Sequence, residues 1–314
     1  MQFWSAKRMG KNHRPSPVTI ITAIAGRDAI IMASDSRTTA EDFTIRDDSK
    51  KVFPVRLSDG FGFLLGQSGN DDLGARAIEL VYDVAKQTKL KDYRTCAEVA
   101  VNAVARLKDE IRIQFRGTAE ELQKHFEKHD FSFILAHYYK EDSTAGKLTA
   151  PLPYIFTLDF RTGAARRHFD KRFVSIGCGS PLADFILDGF DVSGFNFSQN
   201  IATSVYTISR VKRFDPRCGG KIQVASAERV FFRDGSYMTP AFEIDGKMIE
   251  DFENSITATA SEFRQQQHAL MNGIVEKMQK LIAPRIEQAK KESGGVHFGF
   301  DGSINPLLDF EKKS

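Results

Sequence analysis

Val18-Thr-Ile-Ile-Thr-Ala-Ile24 and Ala29-Ile-Ile-Met-Ala-Ser34 are two apolar, β-branched runs separated by a few small and polar residues. Such runs fit a pleated, buried surface better than a helix. Gly26 before Arg27-Asp28 suits the turn of a hairpin that joins them. Lys51-Val-Phe-Pro-Val55 and Phe61-Gly-Phe-Leu-Leu-Gly66 predict a second strand pair, parted by Ser58-Asp59-Gly60.

Outward from these strands the period changes. Leu73, Ala77, Leu80, Val81 and Val84 recur at helical spacing, predicting a helix over about 72–89. A second helix is expected from about Tyr93 past Phe115. Strands return at 131–139, 153–160, 165–169 and 173–176, then helices at 182–188 and 198–213. Residues 221–225 and 229–233 read as a closing strand pair. A long amphipathic helix is expected over 250–292, carrying Phe263 and Leu270 on its apolar side and offering a surface for subunit contacts. Two sheets that each bury a face, with helices over their outer faces, give an α+β fold: a four-layer α-β-β-α sandwich.

The chain has 314 residues, 41% of them hydrophobic, and a net charge of +3. That charge is too mild to argue for a nucleic-acid partner. No apolar run approaches the roughly 20 residues needed to span a bilayer. The basic N-terminus lacks the apolar segment of a secretory signal, and three cysteines do not make a disulfide framework. A cytoplasmic protein is expected. No motif asks for a cofactor or a metal; His125 and His129 share a helical spacing but lack a third ligand. Three segments are expected: an N-terminal tail or propeptide over 1–18, a main domain over 19–235, and a C-terminal helical extension over 236–314.

Taken singly, Thr19 is a β-former, Asp35 a turn residue and Lys51 an edge-strand charge. Together they form a pattern. Thr19 opens the first strand, Asp35 follows in Ala33-Ser-Asp-Ser-Arg-Thr-Thr39, and Lys51 in Lys50-Lys-Val52, each 16 residues after the last. Gly66-Gln-Ser-Gly69, Ile176-Gly-Cys-Gly-Ser180 and Asp215-Pro-Arg-Cys-Gly-Gly220 come afterwards, each at a junction with a helix. The ordered set resembles catalytic proteasome β subunits and the bacterial proteasome-like protease HslV, which are N-terminal nucleophile (Ntn) hydrolases. The resemblance covers roughly 19–235.

The resemblance implies a threonine-type endopeptidase working inside a ring of identical or related subunits. Polypeptides would be the substrates and an ATP-driven unfoldase a further partner. Cleavage before Thr19 would free an α-amino group to serve as base for the Thr19 hydroxyl. Lys51 would lower the pKa of both groups, and Asp35 would fix Lys51. Gly69 would donate its N–H to the oxyanion, a contact worth about 3–4 kcal/mol in comparable sites. Asp215, with Cys178 and Cys218 where the family carries serines, would support the amine. Val18 stands where the family usually shows glycine. A non-catalytic ring-forming subunit and an Ntn amidohydrolase of small amides are the alternatives.

Overall fold

The computed structural model describes residues 19–39, 45–128, 130–140, 151–231, 237–259 and 280. The expected tail over 1–18, His129 and most of the expected helix over 250–292 lie outside these residues. The elements are β1 (Ile20–Ala25), β2 (Ala29–Asp35), β3 (Thr38–Thr39), β4 (Ile45–Arg46), β5 (Val52–Arg56) and β6 (Gly62–Gly69). Next come α1 (Asp71–Ala85), α2 (Thr95–Gln114), α3 (Ala119–Lys128), β7 (Phe131–Tyr139), β8 (Leu152–Asp159), β9 (Ala165–Arg167) and β10 (Phe173–Gly177). The order ends with α4 (Ser180–Leu187), α5 (Phe197–Phe214), β11 (Ile222–Glu228), β12 (Val230–Phe231), β13 (Tyr237–Met238) and β14 (Ala241–Glu243).

Two five-stranded antiparallel sheets, ordered β10-β1-β2-β11-β14 and β5-β6-β7-β8-β9, make the body of the protein. Strand alternation assigns each face. Ile21, Ala23, Ile30 and Met32 of the first sheet meet Leu64, Ile134, Ala136 and Ile155 of the second in a core between the sheets. Ile20, Ile31, Ala33 and Val224 point the other way, against Ile201, Val205 and Ile208 of α5. Phe63, Leu65, Phe133 and Leu135 likewise pack against α1 and α2. The α-β-β-α sandwich is thus the observed fold. Burial on both faces is why β1 and β2 read as unbroken apolar runs rather than alternating ones.

The helix expected from about Tyr93 past Phe115 ends at Gln114, and a further helix, α3, follows it. Thr118 Oγ1 accepts from Glu121 N at 3.2 Å, and Glu121 Oε2 accepts from Thr118 N at 2.8 Å. That reciprocal cap starts α3 afresh after Gly117. The expected closing pair is also different. β11 pairs with β2 and with β14, whereas Val230–Phe231 pairs with Tyr237–Met238 in a separate ribbon. Residues 246–259 are helical, and Ile249, Phe252 and Ile256 join the cluster over the first sheet. The compact unit containing the sandwich therefore runs to Ile256, so β14 belongs with the sheets rather than with an extension starting at 236. Of the second unit, Thr257–Ser314, residues 257–259 and 280 are described and are helical. Among the described residues no helix is long and apolar enough to cross a membrane.

One buried polar side chain makes the fold sensitive to acid. His137 on β7 is fully buried and stacked near Tyr154 and Phe156. Its Nε2 lies 3.0 Å from Tyr93 O and can donate to it, and its Nδ1 lies 3.3 Å from Tyr138 O; both contacts work against the larger effect of burial. Burial pushes its pKa from 6.5 down to about 4. The unfolded chain takes up a proton below pH 6.5 and the folded one does not until about pH 4. Stability is therefore undiminished above pH 6.5 and falls by about 3 kcal/mol as pH drops through that window. NMR titration should hold the His137 ring signals at their neutral positions down to about pH 5. A midpoint near 6.5 would show a hydrated ring.

Candidate active site

Four strand ends converge at one end of the sandwich. β1 and β2 are antiparallel, with Ile21 opposite Ser34, so Thr19 before β1 lies beside Asp35 at the end of β2. Gly177, the last residue of β10, is opposite Ile20, and Ile222, the first of β11, is opposite Asp35. Lys51 enters from the second sheet, immediately before β5. Its main chain is fixed from both sides: Lys51 N donates to Gln223 Oε1 at 2.8 Å, and Lys51 O accepts from Gln67 N at 2.9 Å.

These placements bring Thr19, Asp35 and Lys51 into one hydrogen-bonded cluster. Thr19 Oγ1 donates to Asp35 Oδ1 at 2.8 Å and accepts from Lys51 Nζ. Lys51 Nζ also donates to Asp35 Oδ1 at 3.1 Å and to Arg37 O, so its three N–H donors have three acceptors. Asp35 accepts further from Ile20 N at 3.1 Å and, on Oδ2, from Gly219 N at 2.8 Å. Thr19, Asp35 and Lys51 are 1%, 0% and 2% exposed. Burial lowers the Lys51 pKa, and the Asp35 charge beside it works in the opposite direction. An ammonium whose proton is loosened, set on a threonine hydroxyl, is suited to activating that hydroxyl as a nucleophile.

Two turns surround the cluster. Gly177 has φ +96°, and a Cβ on it would lie 2.9 Å from Thr19 Cγ2, so glycine is needed for both backbone and space. Beyond it, Gly179 N and the Cys178 thiol both donate to Thr19 O, at 3.3 and 3.4 Å. The second turn, 215–220, supplies Gly219 N to Asp35 and accepts Ser36 N and Arg37 N on Gly219 O. Arg37 spans the same turn, binding Asp47 and, at 3.1 Å, Pro216 O.

Cys178 and Cys218 face each other across these turns with sulfurs 3.8 Å apart. That contact holds the Cys178 thiol below its ordinary pKa, whereas the same contact and burial push Cys218 up. Asp215 pairs with the Arg217 guanidinium through both oxygens at 2.9 Å, which lowers its carboxyl pKa. Gly69 closes β6 at φ +118°, opposite Phe131. It lies outside the hydrogen-bonded cluster of Thr19, Asp35 and Lys51. Sequence reasoning did not single out Arg37, Gly219 or Gln223. Arg37 reaches Lys51, and Gly219 reaches Asp35, through main-chain atoms, which carry no residue signature. Gln223 showed only as a polar residue inside an apolar strand.

No protein-family model matches the chain. The proteasome subunit beta of Thermoplasma acidophilum is 24% identical over 230 residues, covering 73% of this chain and 93% of that protein. Among solved structures, Anbu from Hyphomicrobium sp. strain MC1 is 18% identical with a TM-score of 0.54, covering 80% of this chain and 97% of its own. Anbu from Yersinia bercovieri, described as an ancestral β-subunit, is 12% identical with a TM-score of 0.56 over 79% and 97%. The helical assembly of the Anbu complex from Pseudomonas aeruginosa gives 14% and 0.55 over 79% and 96%. The chain shares the fold of these Anbu structures and has a distant sequence similarity to a proteasome β subunit.

Proposed function

We propose that the protein is a threonine-type endopeptidase of a proteasome-like assembly, with Thr19 as its nucleophile. The observation that carries this reading is the buried Lys51 ammonium bridging Thr19 Oγ1 and the Asp35 carboxylate. While the Val18–Thr19 bond is intact, the Thr19 nitrogen is an amide and cannot act as a base. Cutting that bond leaves a free α-amine on the nucleophile itself, which takes the hydroxyl proton as Oγ1 attacks a peptide carbonyl. Lys51 stabilises the developing alkoxide, and Asp35 holds Lys51. Gly69 is assigned the oxyanion donor, and Cys178, Asp215 and Cys218 the support of the amine. Polypeptides are the substrates, related subunits the ring partners, an ATP-driven unfoldase the feeder and the cytoplasm the setting. The HslV-like reading rests on the opening motifs alone.

A second reading has its own observations. Val18 precedes Thr19, and a β-branched residue hinders the backbone turn of self-cleavage. Thiols at 178 and 218 are weaker hydrogen-bonding groups than hydroxyls. Both favour a ring-forming subunit without catalysis. The Ntn amidohydrolase of small amides would use the same Thr19 cluster on a different substrate. The intact mass of the native protein decides between catalysis and scaffold. Loss of residues 1–18, together with hydrolysis of unstructured peptides, is expected. A chain that keeps Val18 in the assembled particle would leave the structural reading standing.

A further inference from the structure

The sequence offers no motif for a metal, yet two turns distant in the chain bring three metal-binding side chains together. Cys178 Sγ, Cys218 Sγ and an Asp215 carboxylate oxygen lie within 4.8 Å of one another. We propose that Cys178, Cys218 and Asp215 form a binding site for a thiophilic divalent cation of the Zn2+ class, next to Thr19.

The separation of the sulfurs is the first argument. Zn–S bonds of about 2.3 Å in a tetrahedral site place two sulfurs about 3.8 Å apart. The observed separation is 3.8 Å, so a tetrahedral ion fits between the thiols without moving them. Charge is the second. Two thiolates and one carboxylate leave one negative charge around a divalent cation, and Arg217, 2.9 Å from Asp215, neutralises it. A ligating carboxylate is commonly held by such an outer hydrogen-bonding partner. Access is the third. Cys218 is buried, but Cys178 and Asp215 are partly exposed, which gives an ion a way in.

Three protein ligands leave a fourth tetrahedral position open. The Thr19 carbonyl oxygen lies 3.4 Å from Cys178 Sγ, which ties this site to the Thr19 main chain. Occupancy would therefore restrain the proposed nucleophile and suppress peptide hydrolysis. This regulatory consequence rests on the function proposed above; the binding itself does not.

The test is a titration of the reduced, full-length protein with Co2+ under anaerobic conditions, read by absorption. We expect about one Co2+ per chain, with thiolate-to-cobalt charge transfer and tetrahedral d–d bands that Zn2+ abolishes. Cys178→Ser and Cys218→Ser should each weaken binding by more than the roughly 10- to 100-fold that losing an outer partner costs. Cys96→Ala, which removes the buried cysteine of α2, should leave the titration unchanged. Absence of the charge-transfer band, or its persistence in both serine variants, would overturn the proposal. Whether the protein hydrolyses peptides does not enter that readout. A protein that binds Co2+ but shows no hydrolysis would count against the peptidase reading alone.

Discussion

Thr19→Ala should abolish peptide hydrolysis, by at least about 10³-fold, while the particle keeps its size. Losing the nucleophile of a concerted cluster removes nearly all of its catalysis, because the remaining members have nothing to activate. The fold should tolerate the change. Lys51 keeps Asp35 and Arg37 O as acceptors, and Asp35 keeps Ile20 N, Gly219 N and Lys51 as donors. The loss is thus one hydroxyl with two hydrogen bonds, on the order of 1–3 kcal/mol. Fluorogenic peptide assays on the purified variant, with light scattering for size, check both halves. Hydrolysis at the parental rate would remove Thr19 from the mechanism and with it the proposed chemistry.

Much of this site was legible before the fold was known. The resemblance to proteasome β subunits, not the spacing by itself, marks Thr19, Asp35 and Lys51 as a set, and a hairpin and a strand from the second sheet bring them together. The apolar runs of β1 and β2 announced that hairpin directly. Side-chain chemistry shows in a sequence; main-chain chemistry does not. The Gly219 N–H on Asp35 depends on the path of the 215–220 turn, and the Arg37 carbonyl on Lys51 on the path of the chain leaving β2. Gly219-Gly220 was visible as part of a turn motif, but its donor role was not. Gly220, at φ +70°, shows why a second glycine is needed there.

Errors in the helices and strands have local causes. The helix expected from about Tyr93 past Phe115 stops at Gln114, and the cap spelled by Thr118-Ala-Glu-Glu121, which opens α3, went unread. A capping signal should have outweighed an apolar stripe at that point. The pairing of β11 with β14 rather than with 229–231 is a tertiary choice. Ala225 and Ala227, opposite Glu243 and Ala241, belong to the core between the sheets, and the partner that buries them is the one selected. No local pattern distinguishes that partner from the nearer run.

The largest loss of stability should come from Asp35→Ala. Lys51 is 3% exposed in its side chain, and its ammonium is balanced by one carboxylate. Removing one member of a buried ion pair leaves a charge without compensation, at a cost of about 3–5 kcal/mol. Here Ile20 N and Gly219 N lose their acceptor as well. The variant can relieve part of the cost by releasing the Lys51 proton, since burial already lowers that pKa and Asp35 would no longer oppose it. The unfolded chain binds this proton below about pH 10.4, and the folded variant binds it less readily. Its stability should therefore rise with pH between the lowered folded value and 10.4. Asp35→Ala/Lys51→Met should recover much of the loss by removing the orphaned charge, although neither protein would hydrolyse peptide. Urea unfolding at fixed protein concentration, repeated at pH 7 and pH 9, measures all three quantities. A penalty below about 1 kcal/mol for Asp35→Ala, with no dependence on pH, would mean that water reaches Lys51 in solution. The cluster would then be an exposed ion pair, too well solvated to perturb the Thr19 hydroxyl.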